Sequence, residues 1–463
     1  METITYLNLK VDGAPIKKVT SLTISNAANS YGTVQLSGEV EPAEGEGFAA
    51  RADENTCITI RTSAAGQPPV LFMGVAESVS LSKSSEYALL NLTLRAEASR
   101  LNTKKEHRSF QNTGSTYEEV INKALGGKAG LQMNVSDKAT GRLIVQYNET
   151  AWEFALRMAS EFGAPLCANV ETQVPQLTVG VPETGNTYQL SDVEYDFGSN
   201  GNAYEKMKSN SGNSYMQEDF SGTGISTDQY VMLGDTITYG GQTQQVQQFC
   251  STLKNGILRT SISAAVKTGF TQALQPNAQV SGKMFLGEVK AVEKDKVQVH
   301  LVDIDDAYDS GGNLWLPYST AYSSSDGSGF YCMPQEGDSV RVFFPSDNEK
   351  DAFCASSVNV SPLDDPKHKK WRSPAGKEIL FTEKGIFITC NEQRIYINLE
   401  DENGISICAD KDINVCSNNN ILLYAQNTLQ VQSENKILLS TGNSYIDITK
   451  ESIQLGAKNV VIK

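Results

Sequence analysis

The sequence predicts a mainly β protein of several domains that ends in a slender β rod. Three observations carry this. Short apolar-polar alternations bounded by turn residues recur over the first 360 residues. Only two stretches, opening near Ser115 and Thr150, have the capped, 3.6-period pattern of amphipathic helices. From Ile379 onward an apolar-x-apolar triplet returns every seven to ten residues, and every eight residues from Ile405 to Ile437. At 463 residues the chain exceeds one ordinary domain.

Residues 1–105 read as a barrel or sandwich of short strands: Leu7–Val11 running into the turn Asp12-Gly13, then Leu22–Ile24, Val34–Leu36, Cys57–Ile60 and Leu90–Leu94. Residues 106–165 form a small α/β insertion. Its first helix is assigned Ser115 as cap with Glu118 three residues on, an apolar stripe of Val120, Ile121, Ala124 and Leu125, and a stop at Gly126-Gly127. The second is capped by Thr150 with Glu153, packs Trp152, Ala155, Leu156 and Ala159 inward, and closes at Gly163. Residues 166–282 return to strands, including Tyr230–Leu233 and Gln244–Phe249, around a polar stretch at 198–227 read as an exposed loop. Gly240-Gly241 reads as a hairpin turn. Residues 283–360 hold about five strands, among them Lys296–Leu301, Trp315–Pro317 and Val340–Phe344, which suits a small barrel such as an OB-fold. Residues 361–378 read as a linker.

Residues 379–463 are the rod. Alternation gives each triplet one apolar face, and polar runs such as Ser417–Asn420 supply the turns. Each triplet offers two inward side chains, which is thin for one chain closing a solenoid. Three intertwined copies would pool those side chains around an axis and pair every strand edge. Ile405, Ile407, Ile413, Val415, Ile421, Leu423, Leu429, Val431, Ile437 and Leu439 are the expected trimer core. The alternative is a single-chain parallel β-helix, whose coils hold about twenty or more residues.

Composition argues against several chemistries. The formal net charge of −15 opposes nucleic-acid partners and anionic membranes. No run approaches the roughly 20 apolar residues of a membrane-spanning helix. The first residues lack a secretory pattern, which implies assembly in the cytoplasm. The eight cysteines form no C-x-x-C pair, and the three histidines stand alone at 107, 300 and 368, so no metal, cofactor or catalytic site is expected. Asp303, Asp305, Asp306 and Asp309 form an acidic run read as a solvated loop rather than a calcium site. Trp152, Trp315 and Trp371 have core or interface readings.

This order of elements resembles the VgrG spike of type VI secretion systems and the hub-and-spike proteins of contractile phage tails, over essentially the whole chain. Leu71-Phe72-Met73-Gly74-Val75 is similar to the family's Phe-x-Gly turn. Arg108–Asn112 and Val145–Thr150 resemble its entries to the two helices. Gly329–Pro334 before Glu336-Gly337-Asp338-Ser339-Val340-Arg341-Val342 resembles the spike OB-fold, and Gly376–Ile379 the needle's start, with Lys377 where many members have His.

The resemblance implies an N-terminal hub of two β-barrel-like domains, an OB-fold collar and an intertwined trimeric β-helix needle. It implies a homotrimer under a hexameric tail tube protein, held by baseplate proteins, that is ejected toward a target cell envelope. The gap from Val360 to Gly376, about 16 residues, leaves no room for a lysozyme domain. The chain given stops within the repeat, so any effector is expected to be a separate protein. No His-x-His follows His368, and Val460, Val461, Ile462 and Lys463 are the expected seat of a PAAR-like tip protein. A trimeric tail fibre or adhesin is the rival reading.

Overall fold

Alternating side chains become strands across most of the chain. The computed structural model describes residues 2–462 apart from 85–86, 192, 211–214, 360, 362 and 392–393. The chain divides into two units, Met1–Val360 and Ser361–Lys463.

In the first unit one twelve-stranded sheet runs in the order Leu9–Asp12, Cys57–Thr62, Val70–Lys83, Ala88–Ala96, Thr33–Val40, Lys18–Ala27, Gln242–Lys254, Ile257–Ala265, Ser221–Thr227 and Tyr195–Ser199. Thr236–Tyr239 adds to Gln242–Lys254, and Thr187–Gln189 adds to Thr236–Tyr239. The joint between its halves is antiparallel, with Ala27 opposite Gln248 and Thr23 opposite Thr252. The two barrel-like bodies expected from the pattern are therefore joined edge to edge. They also share a core, in which Leu22, Ile24, Ile58 and Phe72 belong with Tyr230, Ile237 and Phe249. Tyr230 donates its hydroxyl to the Leu71 carbonyl (2.5 Å), stitching the halves together.

Several local readings need correction. The first insertion helix, Tyr117–Leu125, is capped by Thr116 with Glu119, one residue later than read, because the Thr116 side chain accepts from the Glu119 amide (3.3 Å). It ends at Gly126, whose φ of 59° lies in the left-handed region that glycine tolerates. The second, Ala151–Ser160, is capped by Thr150 with Glu153 as read. A helix at Pro42–Arg51 went unseen because Gly45 and Gly47 weaken its pattern, although Pro42 at its first turn is a start signal. The stretch at 198–227 is not a loop throughout. It holds the helix Gly201–Asn210 and the strand Ser221–Thr227. Asn200 accepts the Ala203 amide (3.0 Å), and Met207 is buried. Residues 211–214 of that stretch fall outside the described residues. Tyr230–Leu233 is not a strand, because Asp235 holds the Met232 amide in a turn (2.8 Å). The Phe-x-Gly motif lies inside the strand Val70–Lys83 rather than at a turn. A Cβ on Gly74 would stand 2.1 Å from the Arg95 carbonyl oxygen of the paired strand, so the glycine permits close approach.

Residues 283–357 close a five-stranded barrel from Lys283–Glu293, Lys296–Leu301, Leu316–Ser319, Phe353–Ser357 and Ser339–Phe344. Val340, Val342 and Phe344 alternate into its core with Phe285, Val289, Val297 and Val299.

The second unit contains two antiparallel meanders. One runs Lys369–Arg372, Glu378–Thr382, Gly385–Asn391, Ile395–Glu400 and Gly404–Cys408, and the other Lys436–Thr441, Ser444–Thr449 and Ile453–Gly456. The expected linker at 361–378 thus contributes the first strand, which pairs Trp371 with Ile379. Residues 409–435 hold no strand.

Candidate assembly surface

Strand register in the second unit stacks like on like. Trp371, Ile379, Ile388, Ile397 and Ile407 stand opposite one another across five strands. Phe381, Ile386, Leu399 and Ile405 make a second column beside them. In the other meander Ile437, Ile448 and Ile453 continue the motif, with Leu439, Ile446 and Leu455 alongside. The outer positions of each triplet share a face because strand side chains alternate. Trp371, Ile379, Ile388, Ile397, Ile407 and Ile413 line an apolar groove of about 680 Å³.

This surface is uncovered in the single chain. No described residue of 361–462 is buried, whereas the first unit holds four apolar core clusters. Of the expected trimer-core residues, Ile405, Ile407, Ile437 and Leu439 lie on strands. Ile413, Val415, Ile421, Leu423, Leu429 and Val431 lie in the strandless stretch, exposed from 51% at Ile421 to 72% at Leu423. Ile437 is half-buried. Val460, Val461 and Ile462 are exposed, and Lys463 lies outside the described residues. The reading from sequence missed Trp371 as part of the apolar column. Its tie to the rod appears only once the strand Lys369–Arg372 pairs with Glu378–Thr382.

The first unit carries a buried ionic clamp with no sequence signal. Arg157, on the second insertion helix, donates Nε to Glu149 Oε1 (2.7 Å) and Nη2 to Glu149 Oε2 (2.8 Å), and Nη1 to Glu349 Oε1 (3.2 Å). Nη2 also reaches the Val145 carbonyl (2.8 Å), and Asn277 Nδ2 donates to Glu349 Oε1 (2.8 Å). Arg142 pairs with Glu161 and lies 3.7 Å from Glu349 Oε2. Burial opposes the charge on Arg157. The Glu149 hydrogen bonds and surrounding carboxylates outweigh that, and its pKa lies above the ordinary value. Glu349 belongs to the small barrel's last connection, so the clamp fastens the insertion to the barrel.

The acidic run is also a fastening. Asp305 accepts from the Ser109 amide and hydroxyl (both 2.5 Å), Asp303 from the Leu286 amide (2.6 Å), and Asp309 from the Gly311 amide (2.9 Å). Burial raises the Asp305 carboxyl above its usual range, while the Ser109 bonds pull it down. Among the described residues no group of three or more His, Cys, Asp and Glu could hold a metal. The eight cysteines are all unpaired in the single chain. Among the described residues no helix is long and apolar enough to cross a membrane.

Residues 33–175 match the family model of the phage tail baseplate hub (GPD). That region holds the strands Thr33–Val40, Cys57–Thr62, Val70–Lys83 and Ala88–Ala96 and the capped helices. No curated protein sequence matches the chain. Among solved structures, the E. coli c3393 protein, described as a type VI secretion component similar to T4 tail proteins gp27 and gp5, aligns at a TM-score of 0.55 and 15% identity. The match covers 76% of this chain and 99% of that one. A lidded PdpA-VgrG complex of Francisella aligns at 0.55 and 8% identity, over 86% of this chain and 79% of that one. Its half-lidded form aligns at 0.53 and 9%, over 86% and 87%. At such identities the likeness is one of fold. The chain therefore has the fold of the VgrG-type hub-and-spike proteins, and its residues 33–175 match the family model of the phage tail baseplate hub.

Proposed function

We propose that the chain is the central hub and spike of a contractile injection apparatus, acting as a homotrimer without catalysis of its own. The observation that carries this is the second unit's lack of any buried described residue despite its in-register apolar columns. A large uncovered apolar surface needs a partner. Three copies facing their columns toward one axis would cover it and leave the polar middle positions outward. In this reading residues 1–282 form the hub under a hexameric tail tube, and the five-stranded barrel is the OB-fold collar. Residues 379–462 are the needle that breaches a target envelope. Val460, Val461 and Ile462 take a PAAR-like tip protein, on which a separate effector rides.

Two experiments test it. Electron microscopy of the purified chain should show three-fold particles with a broad head and a narrow rod, and single-copy particles would reject the trimer. In the native cell, deleting the gene should abolish assembled sheaths. Normal sheath assembly and contraction in its absence would reject the baseplate role.

A further inference from the structure

The strand Val70–Lys83 outruns one of its neighbours. Its pairing with Ala88–Ala96 begins only at Gly74, opposite Ala96, so Leu71, Phe72 and Met73 have no strand on that side. An open edge against a core must find its backbone partners elsewhere. Two come from distant parts of the chain. The Met73 amide donates to the Val170 carbonyl (2.7 Å), and the Tyr230 hydroxyl to the Leu71 carbonyl (2.5 Å). Val170 is buried, in the short connection between the strands Leu166–Ala168 and Gln176–Val179. The next residue is Glu171. Its amide donates to Asn169 Oδ1 (2.7 Å), but its Oε1 is buried without a hydrogen-bond partner, as is Thr172 Oγ1. Among the described residues no cation pairs with Glu171.

The titratable groups that face Glu171 are acidic or phenolic. Asp235 is buried and accepts from the Met232 amide (2.8 Å) and from Asn186 Nδ2 (3.1 Å), bonds that favour its charged form against the cost of burial. Tyr188 and Tyr230 feel both carboxylates, and burial first and then those charges push both phenols up. An ionised Glu171 would therefore hold an unsolvated oxygen near a second negative charge. We propose that residues 169–175 are a pH-sensitive latch over the open edge at Leu71–Met73, closed while Glu171 keeps its proton and released when it loses it. Burial and Asp235 raise that carboxyl to about 7 from 4.5. The sign follows: the preference for the closed form is complete below about 4.5 and is lost as pH rises through about 7. Release uncovers a strand edge that another strand could pair with. The latch lies within one chain and does not rest on the trimer reading above.

The test is hydrogen exchange with peptide-level mass spectrometry on the purified full chain at pH 6 and pH 8. Each rate is divided by that of an unstructured peptide of the same sequence, which removes the intrinsic pH dependence. The expected result is that protection of peptides covering Met73 and 169–175 falls about 10-fold from pH 6 to pH 8, while Ala88–Ala96 keeps its protection. Glu171→Gln has no proton to lose and should hold both segments equally protected at the two pH values. Unchanged wild-type protection, or a variant that loses protection as the wild type does, would overturn the latch. An equal loss across Ala88–Ala96 would mean that the whole sheet opens, and would overturn it too. Should Glu171→Gln fail to fold, the wild-type comparison between those segments and Ala88–Ala96 still decides.

Discussion

Replacing Arg157 with Met probes the clamp that ties the insertion to the small barrel. Arg157 is 3% exposed, and Glu149 and Glu349 beside it are 7% and 2% exposed. Met fills much of the volume but strands two carboxylates. Glu349 would keep Asn277 and the 3.7 Å contact to Arg142, while Glu149 would lose its bidentate partner. Breaking one side of a buried ion pair costs about 3–5 kcal/mol. With a urea dependence of about 3 kcal/mol per molar or more for a unit of this size, the unfolding midpoint should fall by about 1 M. Tryptophan fluorescence can follow the transition, since Trp152 sits on the same helix and packs edge-on to Tyr31 at 5.4 Å. Adding Glu149→Gln and Glu349→Gln should restore much of the loss, because the penalty comes from unpaired charge rather than from a missing contact. A fall below about 0.3 M for Arg157→Met, or further destabilisation when the charges are removed, would refute this account of the clamp.

Other outcomes follow from single sites. Burial, and next the charge of Asp235, push the Glu171 carboxyl up from its ordinary 4.5 to about 7. A raised acid favours the folded state fully below about 4.5, and that contribution is lost as pH rises through about 7. Glu171→Gln should therefore raise the melting temperature at pH 8 and leave it unchanged near pH 4; an equal shift at both would contradict the assignment. Thr116→Ala should cost about 1 kcal/mol by removing a helix cap. Thr150→Ala should cost more, since Thr150 also donates to Asn102 (2.8 Å), and equal losses in denaturation would refute that ranking. Replacing Ile421 and Leu423 together with Asp should abolish SDS-resistant trimers, because the charges would be buried without partners. A variant that still ran as an SDS-resistant trimer would place those positions outside the core.

The triplet repeat after Ile379 was the most legible pattern in the sequence because its signal is a period, and periods survive without tertiary knowledge. Even so, the sequence did not show which triplets pair within the chain. That depends on glycine-bearing reversals, which matter only once register is known. In the first unit the strands at Lys18–Ala27 and Ala88–Ala96 were readable because half-buried strands alternate, as Leu22 and Ile24 do. The edge joint between Thr23 and Thr252 was not, since backbone pairing across about 230 residues leaves no local pattern. The helix Gly201–Asn210 was hidden by Asn and Ser residues that suit turns equally well. The clamp was invisible for a different reason. Glu349 is remote in sequence from Arg157, and only the fold brings the two charges together.

The proposed trimer turns the uncovered columns of the second unit toward other copies of the same chain. Light scattering after gel filtration tests it most directly on the purified full chain. A trimer should appear at 150.9 kDa, three times the 50.3 kDa of one chain. A stable species at 50.3 kDa, with the columns still exposed, would contradict it.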